Sequence, residues 1–211
     1  MKIFMLVNEQ QRKELQSINL SKKNTITITA QFPENHYKNF DAYFILDHSF
    51  VLENFIFFEN RPVIINEVIQ TLTDLNLPEN FHRMNAWPGF LQRGIWEVVS
   101  KNPEKIKDIF KVFNKKIFFV KDEPGFVSAR VISMIINEAF FALGENVSTK
   151  EEIDLAMKLG TNYPYGPFEW GEKIGVENIL NLLEKLAKKE ERYSPAPALK
   201  NFFYQNQNKN L

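Results

Sequence analysis

The rhythm of apolar and polar positions changes once along this chain, from short runs to helical spacing. KIFMLV (Lys2–Val7) is an unbroken apolar run, the right length for a buried strand and too short for a helix. QQRKELQSI (Gln10–Ile18) then reads as a short helix. TITITA (Thr25–Ala30) is β-branched and alternating, which predicts a strand. DAYFILD (Asp41–Asp47), FIFFE (Phe55–Glu59) and PVIINEV (Pro62–Val68) are further apolar runs that read as strands or their flanks. IWEVV (Ile95–Val99) and KIFFV (Lys116–Val120) read as the last strands, with PEKIKDIFKVFN (Pro103–Asn114) as a helix between them. Short strands with brief helical connections predict a small α/β layer.

After Pro124-Gly125 the spacing is helical only. Proline cannot continue a strand ladder and glycine permits an unusual turn, so this pair predicts a hinge. The first helix runs from Gly125 to Gly144, with Val127, Val131, Ile135 and Phe140 at helical spacing. A second opens on Ser148 with Glu151 three residues later, a capping box, and stops at Gly160. A third spans about Val176 to Lys189, with Leu180, Leu183 and Leu186 on one side. The final stretch, FFYQNQNKNL, has little periodicity and is expected to fray. The expected division is an α/β domain over 1–121 and a helical domain over 122–211.

Composition narrows the function classes. Of 211 residues 44% are apolar, enough for a sizeable core. Twenty-six basic residues balance 26 acidic ones, so no basic surplus points to nucleic acid or an anionic membrane. Cysteine is absent, which removes disulfides, thiolate metal sites and thiol nucleophiles together. His36, His48 and His82 are not spaced as a metal cluster, so no metal is expected. The start lacks a signal-peptide pattern, and Arg130 and Glu138 interrupt the most apolar helix, which reads as a core helix and not a membrane span. The expected location is the cytoplasm.

The helical half carries motifs in a fixed order. Asp122, Pro124, Gly125, Phe126 and Arg130 come first, then Asn137-Glu138-Ala139, Ile153-Asp154, Ala156-Met157 and Leu159-Gly160. Pro164 and Gly166-Pro167-Phe168-Glu169 follow, and Arg192-Tyr193, Pro195 and Leu199-Lys200 close the series. This segment resembles the C-terminal domain of the 3-hydroxyacyl-CoA dehydrogenases. A weaker likeness continues upstream through NAWPGFLQRGIWEVV (Asn85–Val99) and Ile65–Ile69. The fold class implied is α/β: a shortened Rossmann-like layer followed by an all-α domain of the 3-hydroxyacyl-CoA dehydrogenase C-terminal type. The resemblance also implies a homodimer through the long helices and an acyl-CoA-like ligand.

The family's reaction needs a held cofactor, a base for the hydroxyl proton and donors that polarise the forming carbonyl. The family holds NAD over a glycine-rich turn, because only glycine lets the backbone approach the pyrophosphate closely. Here the glycine positions fall near Val7, Glu9 and Arg12, and the first glycine of the chain is Gly89. The second strand offers Ala30 and Gln31 where an acid for the ribose hydroxyls is needed. The expectation is therefore no cofactor, with NAD only if the chain is an active enzyme. Glu97 matches the family's orienting glutamate, and Asn85 stands where the family has its catalytic histidine. An amide cannot take up a proton near neutral pH. His82 is a substitute base three residues away, on the opposite face if this segment is a strand. Ala129 replaces the family's asparagine, and Val68 and Ile69 replace its serines. Glu97 itself reads either as a buried acid bonded to Asn85 or as an ordinary strand residue.

Two readings follow. The favoured one is a divergent relative without NAD-dependent catalysis, acting as a binding or dimeric interaction scaffold. The other is an active dehydrogenase of a 3-hydroxyacyl-CoA or a short hydroxy acid, in fatty acid metabolism, with a remodelled site.

Overall fold

The computed structural model describes residues 1–18, 24–31, 39–47 and 58–209. His36, His48 and most of FIFFE lie outside these. The first unit is built on a seven-stranded sheet. Its strands are β1 (Lys2–Leu6), β2 (Thr25–Thr29), β3 (Ala42–Ile45), β4 (Val63–Asn66), β5 (Phe81–Met84), β6 (Ile95–Val99) and β7 (Lys116–Phe119). They lie in the order β2-β1-β3-β4-β5-β6-β7, and every neighbouring pair is parallel except β5 and β6. Strands buried on both faces need continuous apolar runs, which is why KIFML, AYFI and VIIN stood out. β5 did not, because its sequence is FHRM. It is nonetheless buried throughout, with His82 and Arg83 inside.

Alternation divides the sheet into two faces. Met5, Phe44, Ile64, Met84 and Val98 share one face, where they pack with helix α1 (Glu9–Gln16) through Leu15 and with helix α2 (Pro103–Phe110) through Ile106, Ile109 and Phe110. Arg83 lies on the other face, fully buried. Its guanidinium donates to the carbonyls of Glu67 at 3.1 Å, Gln70 at 2.5 Å and Glu123 at 3.0 Å, and pairs with Asp122 at 2.8 Å. Asp122 in turn accepts from Leu72 N at 3.2 Å. Gly125, at φ 85°, donates its N–H to Val68 O at 2.7 Å. The Pro124-Gly125 turn, expected as a hinge, is thus bonded back to the sheet that precedes it. The two compact units accordingly divide after Phe126, as 1–126 and 127–211.

The second unit is helical: α3 (Ser128–Gly144), α4 (Lys150–Thr161), α5 (Pro167–Ile174), α6 (Val176–Ala187) and α7 (Pro197–Lys209). Its motif residues are fastenings. Asn137 of α3 donates to Ser194 O at 3.0 Å and accepts from Ala196 N at 2.8 Å, tying α3 to the segment before α7. Asp154 of α4 accepts from Phe168 N at 2.8 Å and Glu169 N at 3.0 Å, and so caps α5. A Cβ on Gly166 would meet Asp154 Cγ at 2.2 Å, so glycine is required there.

Several boundaries differ from expectation. The capping box of α4 is Thr149 with Glu152, not Ser148 with Glu151: Thr149 Oγ1 accepts from Glu152 N at 3.3 Å and Glu152 accepts from Thr149 N at 3.3 Å. The helix ends past Gly160, at Thr161, where Asn162 takes the left-handed conformation. Val127 and Val131 are exposed on α3, and Ala129, Ile132, Ile136 and Phe140 form its buried side. Of the C-terminal stretch expected to fray, 202–209 belong to α7, which buried Leu199 and Phe202 against Phe140 at 5.7 Å hold at its start; 210–211 lie outside the described residues. Among the described residues, no helix is long and apolar enough to cross a membrane.

Candidate functional site

A doubly wound sheet binds ligands outside the carboxyl ends of its strands, where the strand order reverses. Here that point lies between β1 and β3. The sequence leaves β1 through Val7, fully buried, and enters α1 through Asn8. Asn8 Oδ1 accepts from Gln11 N at 2.9 Å, and Gln11 Oε1 accepts from Asn8 N at 3.1 Å. The same Gln11 donates through Nε2 to Leu46 O at 2.8 Å, just beyond β3, and to Ala86 O at 3.2 Å, beyond β5. One buried side chain therefore bridges the carboxyl ends of both strands. Asn66, ending β4, runs alongside: it donates to Leu46 O at 3.2 Å and accepts from Ala86 N at 3.0 Å. Glu14, one turn further along α1, accepts from Gly89 N at 2.6 Å and Leu91 N at 3.1 Å. Each of these polar groups is buried and bonded, as buried polar groups must be.

Asn85 belongs to the same region. The β5–β6 register pairs Met84 with Val98, and Asn85 N donates to Glu97 O at 3.3 Å, so Asn85 and Glu97 are cross-strand neighbours. Asn85 is buried, and its Oδ1 accepts from Trp87 N at 3.3 Å. Glu97 is half-buried. Its charged neighbour is Arg93: burial pushes the Arg93 guanidinium down, while Glu97 and then Glu14 oppose that shift. The glutamate thus acts on a fixed cation. Arg93 also lies over the Phe90 ring at 3.9 Å.

The other named residues separate from this pair. His82 shares the face of Met84, opposite to Asn85, in the first half of β5. Burial pushes its imidazole down to about 4, so it is neutral at neutral pH. Its Nδ1 has no partner among the described residues. Val68 is fully buried and Ile69 half-buried in the turn after β4. Ala129 is fully buried in α3, within the helical unit. Ala30 and Gln31 follow β2 and present no acid. No group of three or more His, Asp or Glu side chains is arranged to hold a metal ion among the described residues.

A mainly parallel sheet whose order reverses beside its first strand, followed by a separate helical unit, defines a Rossmann-like α/β protein with an all-α second unit. The comparisons agree. Residues 125–210 match the family model for the 3-hydroxyacyl-CoA dehydrogenase C-terminal domain. The chain is 47% identical over 88 residues to a 3-hydroxyadipyl-CoA dehydrogenase of Escherichia coli (strain K12), covering 41% of this chain and 18% of that protein. It is 41% identical over 126 residues to a probable 3-hydroxybutyryl-CoA dehydrogenase of Bacillus subtilis (strain 168), covering 57% of this chain and 44% of that one. The chain thus spans less than half the length of these curated relatives. A solved (S)-3-hydroxybutyryl-CoA dehydrogenase from Ralstonia eutropha superposes with a TM-score of 0.68 at 19% identity, over 97% of this chain and 94% of that one, and so shares the fold. Residues 125–210 are thus similar to the C-terminal domain of the 3-hydroxyacyl-CoA dehydrogenases, and the chain shares the fold of the solved one.

That likeness corrects the expectation of no cofactor: the relatives are named as dehydrogenases, and their family points to NAD. The usual cradle is a separate matter. The first turn of α1 has the N–H groups of Asn8 and Gln11 engaged in a capping box, starts with Glu9, and contains no glycine. This turn does not fit a pyrophosphate held in the glycine-loop manner.

Sequence reasoning missed Gln11, Glu14 and Arg83. A signal existed for the first two. Gln11 sits four positions before Leu15 and Glu14 four before Ile18, on the side of α1 that faces the core. Arg83 gave none, because a lone basic residue in a polar-looking run reads as surface.

Proposed function

We propose that this chain is a 3-hydroxyacyl-CoA dehydrogenase relative that does not perform the proton transfer of the family's reaction. It serves instead as a scaffold that binds an acyl-CoA-like ligand and pairs with a second copy of itself. The observation behind this reading is Asn85. It occupies the position of the family's histidine and is cross-strand to Glu97, yet its amide has no titration near neutral pH. Glu97 is a charged neighbour of Arg93. The pairing draws on the apolar surface of the helical unit, where Val131 (53%), Leu155 (54%) and Leu159 (79%) are exposed on α3 and α4.

A second reading keeps the chain an enzyme of 3-hydroxyacyl-CoA or a short hydroxy acid, with NAD as its cofactor and a remodelled site. The retained Glu97 and the dehydrogenase relatives favour it. Titration with acetoacetyl-CoA, followed by the fluorescence of Trp87, Trp96 and Trp170, tests the ligand claim. Saturable change is the expected result. A flat response at millimolar ligand would remove ligand binding from the proposal.

A further inference from the structure

The sheet of the first unit has two edge strands, β2 and β7, and they differ in cover. An edge presents unpaired N–H and C=O groups, a template for another strand unless something blocks it. On β2, Val7 N donates to Thr29 O at 3.0 Å, so the odd positions face β1 and Ile26 and Ile28 face outward. Arg12 donates to the outward carbonyl of Ile28 at 3.3 Å and so covers that edge. On β7, Lys116 N donates to Gly94 O at 3.1 Å and Val120 N to Val98 O at 2.9 Å. The even positions therefore face β6, and Ile117 and Phe119 turn their backbone groups outward, where they meet no partner among the described residues. The side chains here are apolar and open. Phe118 is 51% exposed, Phe119 37%, and Ile95 of β6, on the Phe118 side of the sheet, 42%. Lys116 and Lys121 flank the run, both exposed and neither ion-paired among the described residues. The nearby acids are engaged or set apart: Asp122 pairs with Arg83, Glu97 neighbours Arg93, and Glu123 lies past a bend where its N–H donates to Lys121 O at 2.9 Å.

We propose that the β7 edge takes up an extended peptide segment of a partner protein, apolar at alternate positions and carrying a carboxylate at each end. Ile117 and Phe119 supply the main-chain bonds, and Phe118 and Ile95 the apolar contact. Lys116 and Lys121 supply the charges that meet the carboxylates. A second copy of this chain fits less well. Pairing two β7 strands antiparallel about Phe118 sets each Lys121 against a Lys115, and like charges directly opposite are destabilising.

The test is hydrogen exchange of the whole chain at neutral pH, read by NMR at the Ile117 and Phe119 amides. The probe is a short synthetic peptide of alternating valine and threonine with glutamate at both ends, and the reference is the same peptide ending in lysine. The glutamate peptide is expected to slow both amides saturably, and the lysine peptide to bind at least about fivefold more weakly. Phe119→Pro removes an outward N–H, which an edge strand tolerates, and is expected to abolish binding while the sheet persists. Lys116→Glu combined with Lys121→Glu is expected to reverse the order of the two peptides. No slowing by either peptide, or equal affinity for both, would overturn the proposal. So would slowing that follows the concentration of the chain itself, which would give the edge to a second copy.

Discussion

Asn85 and His82 are three residues apart on one strand and do opposite things. Asn85 lies beside Glu97 and accepts from Trp87 N, and its amide only donates and accepts hydrogen bonds. His82 faces the other way, and burial lowers it from 6.5 to about 4. Between these two values the unfolded chain binds more protons than the folded one, so stability rises with pH in that window. The benefit of a neutral His82 is complete above pH 6.5 and is lost as the pH falls to about 4, a difference of about 3 kcal/mol. Urea unfolding across that range, in a buffer free of phosphate and carboxylate, should show the slope in the wild type and a flatter one in His82→Leu. Equal slopes would contradict the assignment.

Elements show where sequence reading succeeds. KIFML and VIIN were legible as strands because buried parallel strands are short apolar runs, and IWEVV because it is rich in β-branched and aromatic residues. β5 was not, because Arg83 reaches four partners and so is buried at an unusual position for its type. α3 is apolar on nearly every side, so its spacing gave the helix but not the buried face. α7 lacked periodicity in sequence and is held by Leu199 and Phe202 instead. The start of α4 was misplaced by one residue because Ser148 and Thr149 both precede a glutamate by three. The capping role of Thr149 has a measurable cost: Thr149→Ala should lose about 1 kcal/mol in chemical unfolding, and Ser148→Ala much less. The reverse order would restore the original reading of that cap.

At the scale of the molecule, the fold is that of the solved (S)-3-hydroxybutyryl-CoA dehydrogenase, and the polar cluster at the strand ends is bonded within itself. Gln11 bridges Leu46 and Ala86, Asn66 repeats the bridge, and Glu14 holds the Gly89–Leu91 turn. In this cluster's neighbourhood only Asn85 and Glu97 were legible, because motifs marked their positions. The replacements that fill it carry no motif, because any buried side chain of suitable reach can make such bonds. If the helical unit pairs with a second copy, Leu159→Glu should shift the sizing profile from twice the chain mass to the chain mass. A wild-type monomer at high concentration would remove the pairing claim.

Steady-state reduction of acetoacetyl-CoA with NADH, followed by NADH absorbance at neutral pH, tests the loss of proton transfer most directly. The wild-type chain should give no rate above the enzyme-free background. A saturable turnover of about 1 s⁻¹ or more, within the ordinary range for enzymes, would contradict it.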